Sequence, residues 1–282
     1  MAQVYPGYMG LADIGGTLVR FADANIVATQ SVEAPDLIMG DYDRDAYVYG
    51  KIEVGGSISG PVTETFSSAV GGSVWDWATD RDDCGNPTEK DMNLYYFCGG
   101  TENTSRSFTG MLVNSVNFSC SAGDIAQFSI DVMGRSAGPW GSGDPPPFTT
   151  VEKLVTWDKV SVSISGSTEF APAVDVGYSN FDFTVSNNLE AVYSLGQANL
   201  FPYDIVPGLR QISGSISVYN VPSSNGFDRW DDYDATPIGT IQFNIGTLVV
   251  NAKVRFHRVE PANSVGPIMS TVAFTGVGPQ FR

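Results

Sequence analysis

At 282 residues the chain is long enough to hide roughly three quarters of its unfolded surface, in one large or two ordinary domains. Only 16% of residues are charged, and the 31 glycines and 16 prolines suit a globular β protein rather than a disordered chain. Acids outnumber bases 31 to 15, for a formal net charge of −16. No run of Lys or Arg offers counterion release on a phosphate backbone, which argues against a module that grips nucleic acid or an anionic membrane surface.

The opening Met1-Ala2-Gln3-Val4-Tyr5-Pro6 lacks a basic region followed by an apolar run, so no secretory signal is expected. No apolar stretch approaches the roughly 20 residues that span a bilayer. Thr17 to Phe21 opens an extended segment that ends near Gln30. A loop with the acidic stretch Asp41-Tyr42-Asp43-Arg44-Asp45 follows, and then a strand over residues 46–59. Residues 61–80, with Trp75 and Trp77, read as a short helix broken at Gly71-Gly72. Residues 81–107 read as a long loop, and a loop of that length is either functional or mobile. Strands are expected from about Gly110 to Cys120 and from Ile125 to Met133, joined by a turn at Ser121-Ala122-Gly123-Asp124.

Gly138-Pro139-Trp140-Gly141 and Asp144-Pro145-Pro146-Pro147 cannot continue a sheet interior or a helix, so residues 134–150 mark the best boundary. The expected division is a first β domain over 1–134, a Gly/Pro-rich linker or arm over 135–156, and a second β domain over 157–282. In the second half Val160, Val162 and Ile164 alternate with serines, and Phe181 to Val185 repeats the first extended segment, with Asn187 in the place of Asn25. Residues 199–207 read as a loop, and 225–234, with Phe227 and Trp230, as a shrunken counterpart of the Trp75/Trp77 helix. Strands at 238–245, 248–256 and 271–276 finish the chain.

One strand occurs twice: Lys51-Ile52-Glu53-Val54-Gly55-Gly56-Ser57-Ile58-Ser59 and Leu209-Arg210-Gln211-Ile212-Ser213-Gly214-Ser215-Ile216-Ser217. Val54 and Ile58 share one face of the first copy, as Ile212 and Ile216 do in the second. The opposite face carries Glu53, Ser57 and Ser59, matched by Gln211, Ser215 and Ser217. This is the period-two pattern of a half-buried strand, and it implies that one architecture was built twice.

Four stretches, 50–61, 108–134, 181–195 and 205–214, resemble the tail tube (major tail) proteins of tailed bacteriophages. Asn187-Asn188-Leu189 and Gly208 to Gly214 match that family's Asn-Asn turn and its following strand. The resemblance implies a mainly β fold: a tandem tail-tube-type β-sandwich with short flanking helices, whose strands contribute to a β-barrel lumen shared between subunits. It implies a structural virion protein without catalytic residues, cofactor or metal. Such a protein forms rings, trimeric with pseudo-sixfold symmetry or hexameric, stacked into a tube that conducts DNA during ejection. The expected partners are further copies of the chain, a tape measure protein, and tail terminator and baseplate proteins, with no membrane. The place is the virion tail, after assembly in the host cytoplasm. Glu53, Asp131, Gln127 and Gln211 are the candidate lumen residues, and Tyr95, Tyr96, Phe97 and Trp140 the candidate subunit-interface anchors.

The catalytic inventory is thin. His257 is the only histidine, so a triad or a His-rich metal site cannot be built around it. Cys84, Cys98 and Cys120 lack metal spacing; a Cys84–Cys98 disulfide and a reduced state remain equally open. Asp41 to Asp45 begins like a calcium loop, but Ala46 and Ile52 stand where Gly and the closing Glu belong. Asp228, Asp231, Asp232 and Asp234 form a second acidic cluster, and both read more simply as solvated loops. The alternatives to a tube protein are a carbohydrate-binding or adhesin-like β-sandwich, with Trp75, Trp77 and Trp230 as a sugar platform, and a carboxylate-dependent enzyme.

Overall fold

The computed structural model describes residues 10–33, 48–64, 71–82, 85–96, 103–147, 153–165, 177–196, 199–219, 238–257 and 269–277. In chain order the elements are β1 (Gly10–Ile14), β2 (Thr17–Phe21), β3 (Asp23–Ala24), β4 (Val27–Glu33), β5 (Val48–Pro61), α1 (Gly71–Thr79), β6 (Lys90–Tyr96), β7 (Thr104–Ser121), β8 (Gln127–Gly134) and β9 (Ser136–Gly141). They continue with β10 (Val160–Ser165), β11 (Tyr178–Ser186), β12 (Leu189–Val192), β13 (Asp204–Pro207), β14 (Gln211–Tyr219), β15 (Ile238–Ile245), β16 (Leu248–Phe256) and β17 (Met269–Gly276). The fold is mainly β, with large antiparallel sheets, and the described residues close no barrel within one chain.

Alternation along the sequence sets the strands and their faces. In β16, Leu248, Val250, Ala252, Val254 and Phe256 are buried, while Val249, Asn251, Lys253 and Arg255 between them are exposed. In β8, Phe128, Ile130 and Val132 point inward between Gln127, Ser129 and Asp131. The turn expected at 121–124 is present: the Asp124 N–H donates to the Ser121 carbonyl at 3.0 Å, and Gly123 takes a φ of +93°.

The two copies of the repeated strand, β5 and β14, lie in one continuous sheet with matching neighbours. β5 stands between β4 and β8, and β8 is followed by β7. β14 stands between β11 and β17, and β17 is followed by β16. Ile58 faces Ile130 across one ladder, and Ile216 faces Val272 across the other. The seam between the halves is the β7–β11 ladder, where Phe118 faces Phe183. Val54, Ile58, Ile212 and Ile216 are all buried.

The register corrects one expected equivalence. Asn25 corresponds to Asp182, not to Asn187: a Cβ on Gly56 would come within 2.6 Å of the Asn25 carbonyl oxygen, and a Cβ on Gly214 would strike the Asp182 carbonyl. The glycine common to both copies is therefore set by the close approach of the neighbouring strand.

Four other expectations are revised. The first extended segment divides into β2, β3 and β4, the first paired with β1 and the others with β5. The region 81–107 is not one loop. It holds β6, whose Met92 and Leu94 are buried, and the start of β7. The Gly-, Asn- and Pro-containing stretch just before β6 reads as loop and hid its short alternation. The Pro-rich segment contains β9, which among the described residues pairs with β7 alone as an edge strand, and an edge is where a strand tolerates Pro139. Residues 204–207, read as loop, form β13 and pair with β12 in a separate hairpin.

The apolar faces close over an aromatic core. Phe243 of β15 lies 4.9 Å from Phe181 and 5.2 Å from Phe183 between ring centroids, so the β15–β16 end of the sheet curls over β11. Helix α1 packs beneath the seam: Trp75 meets Phe118 at 6.4 Å and Phe183 at 5.8 Å. Trp77 is buried and donates its indole N–H to the Thr88 carbonyl at 2.8 Å. Both tryptophans are core anchors, not a sugar platform.

Candidate lumen and assembly surfaces

Because successive side chains alternate, the apolar core on one side of the main sheet leaves a polar face on the other. Its cross-strand rows can be read directly from the register. One row runs Ser57, Asp131, Ser115, Ser186 and Gln211; the next runs Ser59, Ser129, Asn117, Thr184, Ser213, Thr275 and Arg255. A third runs Gln127, Ser119, Asp182, Ser215 and Ala273. The face is carpeted with hydroxyls and amides, with Asp131 and Asp182 as its acids and Arg255 as the base in these rows. Its side chains bond to one another. Ser115 Oγ donates to Asp131 at 2.6 Å, and Asn117 Nδ2 donates to Asp182 and Thr184 at 2.9 and 2.8 Å. Ser217 is buried and shares a 2.8 Å hydrogen bond with Thr271.

Gln127, Asp131 and Gln211 therefore stand on one face of one sheet. Glu53 joins Asp131 in lining a cleft of about 790 Å³ at the upper end of that face. It pairs with Lys51 at 2.5 Å, and this carboxylate raises the Lys51 ammonium above its ordinary value.

The cleft exists because the β12–β13 hairpin leaves β11 at its C-terminal end and lies across the sheet. Asn188, with a φ of +49°, makes the turn. The polar face becomes apolar there: Leu112 and Met133 are covered by Leu189 and Ile205 of the hairpin. Arg135 clamps the hairpin from the side. Its guanidinium donates to Glu89 at 2.5 and 2.8 Å, to Asp204 at 2.7 Å and to the Tyr203 carbonyl at 2.9 Å. On the far side the Tyr193 hydroxyl donates to the Ile52 carbonyl at 3.1 Å, and the Ile52 N–H to the Leu200 carbonyl at 2.8 Å.

At the hairpin's root, Asn187 is buried. Its amide nitrogen donates to the carbonyls of Ala78 and Val113, both at 2.9 Å, and its oxygen accepts from Arg81 and Arg210, both at 3.1 Å. Burial, then the neighbouring Arg81 charge, pushes the Arg210 guanidinium down to about 10. Neither the clamp nor this hub was read from the sequence. Their members lie far apart along the chain, and only the Asn187-Asn188 pair left a local trace, as a turn.

The candidate interface residues gather on the second sheet layer, formed by β2, β1, β6, the first part of β7, and β9. Tyr96 sits between Phe21, which it meets edge-on, and Trp140, which is tilted against it, each 5.8 Å away between ring centroids. Arg106 lies 5.4 Å from the centroid of the Trp140 ring, which is half-exposed. Tyr95, next to Tyr96 in β6, points to the opposite face and is half-buried, its phenol pushed up by burial and by Asp13. Phe97 lies outside the described residues, as do Cys84, Cys98, Asp41 to Asp45, the 228–234 cluster and Trp230. Cys120 is free and buried. Among the described residues no group of three or more His, Cys, Asp or Glu could hold a metal, and no helix is long and apolar enough to cross a membrane.

No curated protein matches the chain. The family model for phage tail tube proteins does match it, over residues 5–276. The chain therefore belongs to the phage tail tube protein family and is a structural component of the phage tail.

Proposed function

We propose that this chain polymerises into rings that stack into the hollow tail tube, and that the polar face of its main sheet lines the channel through which DNA leaves the virion. The role is mechanical rather than catalytic. Residues 1–134 and 157–282 act as two tube units joined by 135–156, so three chains supply six units to a ring.

The observation that carries this reading is the pair of matched ladders, β4–β5–β8–β7 and β11–β14–β17–β16, side by side with one shared polar face. Each ladder presents hydroxyls and amides on that side and core residues on the other. The sheet also ends in open edges. Among the described residues β4 pairs with β5 alone, and Val27 and Val32 on it are exposed. An open edge is an aggregation hazard in a monomer, and closure into a ring removes it. A wall of hydroxyls with few charges neither grips phosphates nor strips their hydration, so a polyanion can slide past it. The same reading gives the chain its place in the virion tail after assembly in the host cytoplasm. Its neighbours there are a tape measure protein inside the channel and terminator and baseplate proteins at the ends.

Electron micrographs of the concentrated protein test the proposal. Tubes whose cross-section repeats six times around, with three chains per turn, are expected. Six chains per ring would refute the two-unit assignment, and particles that stay monomeric would refute the tube itself.

A further inference from the structure

We infer that the outer end of the β4–β5 ribbon of one copy covers the ladder end at Thr275 and Arg255 on the copy beside it in the same ring. The inference rests on the tube reading above and names the two surfaces that meet between neighbouring chains.

The match between the halves runs past the repeated strand into the β12–β13 hairpin. Val32 faces Tyr49 near the end of the β4–β5 ladder, as Leu189 faces Pro207 in the hairpin. Val32 follows Asn25 by seven residues, as Leu189 follows Asp182, and Asn25 and Asp182 correspond. The glycine beside each pair has no room for a side chain. A Cβ on Gly50 would strike the Ser31 hydroxyl, and a Cβ on Gly208 would come within 2.6 Å of the Asn188 carbonyl oxygen. The register of β4 shifts at Ser31, where the second half makes its turn at Asn188. The end of the β4–β5 ribbon is therefore a second arm of the same design.

The surfaces beneath the two arms correspond as well. Leu112 faces Met133 in the first half, and Arg255 faces Thr275 at the same place in the second. The first floor is apolar, and the β12–β13 arm of the same chain covers it, with Leu189 buried against Leu112 and Met133. On the second floor Thr275, Arg255 and Lys253 are exposed. The arm that matches Leu189 is exposed too, with Val32 at 56% and Tyr49 at 64%. Arm and floor lie six strands apart across the sheet, roughly 30 Å at about 4.8 Å per strand, so one chain cannot bring them together. A second copy can. β4 of one copy set beside β16 of the next repeats the placement of β11 beside β7 within one chain.

Charge favours the same pairing. Lys253 and Arg255 give this floor two cations in a chain of net charge −16. The connection between β4 and β5 lies outside the described residues, and its sequence holds Asp36, Asp41, Asp43 and Asp45 against Arg44. Tyr49 supplies a ring face on which a guanidinium stacks. In the first half Arg135 plays the corresponding part, holding Asp204 of the covering arm at 2.7 Å. An apolar floor and a cationic floor also keep each arm out of the other's place.

The test uses the full-length protein. In Val32→Cys combined with Thr275→Cys, mild oxidation of assembled material should yield covalent oligomers on a denaturing gel that stop at the number of chains in one ring. A disulfide needs Cα atoms within about 7 Å, so this pair cannot close within one chain. Either single variant should give no oligomers. Leu189→Cys with Met133→Cys, the corresponding pair, should close within one chain instead. Independently, Arg255→Glu and Tyr49→Ala, both at exposed positions, should each raise the concentration needed for half-maximal assembly at least tenfold. Unchanged assembly in both, together with no oligomers from the first cysteine pair, overturns this inference and leaves the tube reading standing. Oligomers larger than one ring also overturn it, because the contact would then lie between rings. If the unmodified chain forms neither rings nor tubes, the tube reading fails first and this inference fails with it.

Discussion

Arg210 donates from its Nε to the Asn187 side-chain oxygen at 3.1 Å, closing the root of the β12–β13 hairpin across 23 residues of chain. The same amide oxygen accepts from Arg81, and the same amide nitrogen satisfies carbonyls at the end of α1 and in β7. One buried side chain thus ties the helix of the first half to the strands of the second. Arg210 reaches the Thr79 carbonyl as well, at 2.5 Å.

Asn187→Ala should accordingly be costly. It leaves the Ala78 and Val113 carbonyls without their donor and places two guanidinium groups side by side without their shared acceptor. Leaving buried groups unsatisfied costs about 1–3 kcal/mol each, so a loss of roughly 3 kcal/mol is expected. Urea unfolding measures it. A loss below about 1 kcal/mol would mean that water replaces the amide and that the hub is not structural.

Arg135→Ala should act locally. Its ion pairs are partly exposed, with the Arg135 side chain at 34% and its partners at 43% and 44%, so the global loss should be only about 1 kcal/mol. The hairpin, however, loses its side clamp and should open more often. Hydrogen exchange or limited proteolysis within 189–207 should accelerate at least tenfold, with the rest of the sheet unchanged. Uniform acceleration across the sheet would show that Arg135 supports the fold as a whole.

Acid should weaken one tie between the halves. Glu64 accepts from Lys159, and this holds its carboxyl below the ordinary carboxylate value of 4.5. A carboxyl whose folded pKa is depressed contributes stability that is fully present above its unfolded value and lost as pH falls through its folded value. Melting temperatures recorded from neutral pH into that acid range should fall more for the native chain than for Glu64→Gln. Parallel curves would show that the pair, which is exposed, carries no pH dependence.

The strand pattern was legible because it depends on neighbours along the chain. Ile58 and Ile216, or Phe128, Ile130 and Val132, declare their buried face by alternation alone. The repeat in β5 and β14 was legible for the same reason, down to the glycine at Gly56 and Gly214. What escaped depends on residues that meet only in space. Nothing local marks Arg135 as the partner of Glu89 and Asp204, or Leu112 and Met133 as the floor of a hairpin. β6 was hidden because its alternation is short: only Met92 and Leu94 are fully buried, and two adjacent tyrosines break the pattern after them. The candidate lumen residues Gln127, Asp131 and Gln211 fell on one face because period-two alternation fixes faces. Which way that face looks in an assembly is not encoded in any single strand.

Glu53→Lys combined with Asp131→Lys should leave tubes intact and impair DNA ejection. It converts a stretch of wall that ignores phosphates into one that binds them. Particle assembly and ejection assays on phage carrying the double variant separate the two steps. Normal ejection would assign both residues to a surface the DNA never meets.

A reconstruction of the assembled tube, at a resolution that traces β-strands, tests the central claim most directly. The account predicts that Asp131, Gln127 and Gln211 face the channel axis, with three chains and six matched ladders per ring. A tube in which these residues face outward, or are buried between subunits while the wall is formed by another surface, would contradict it.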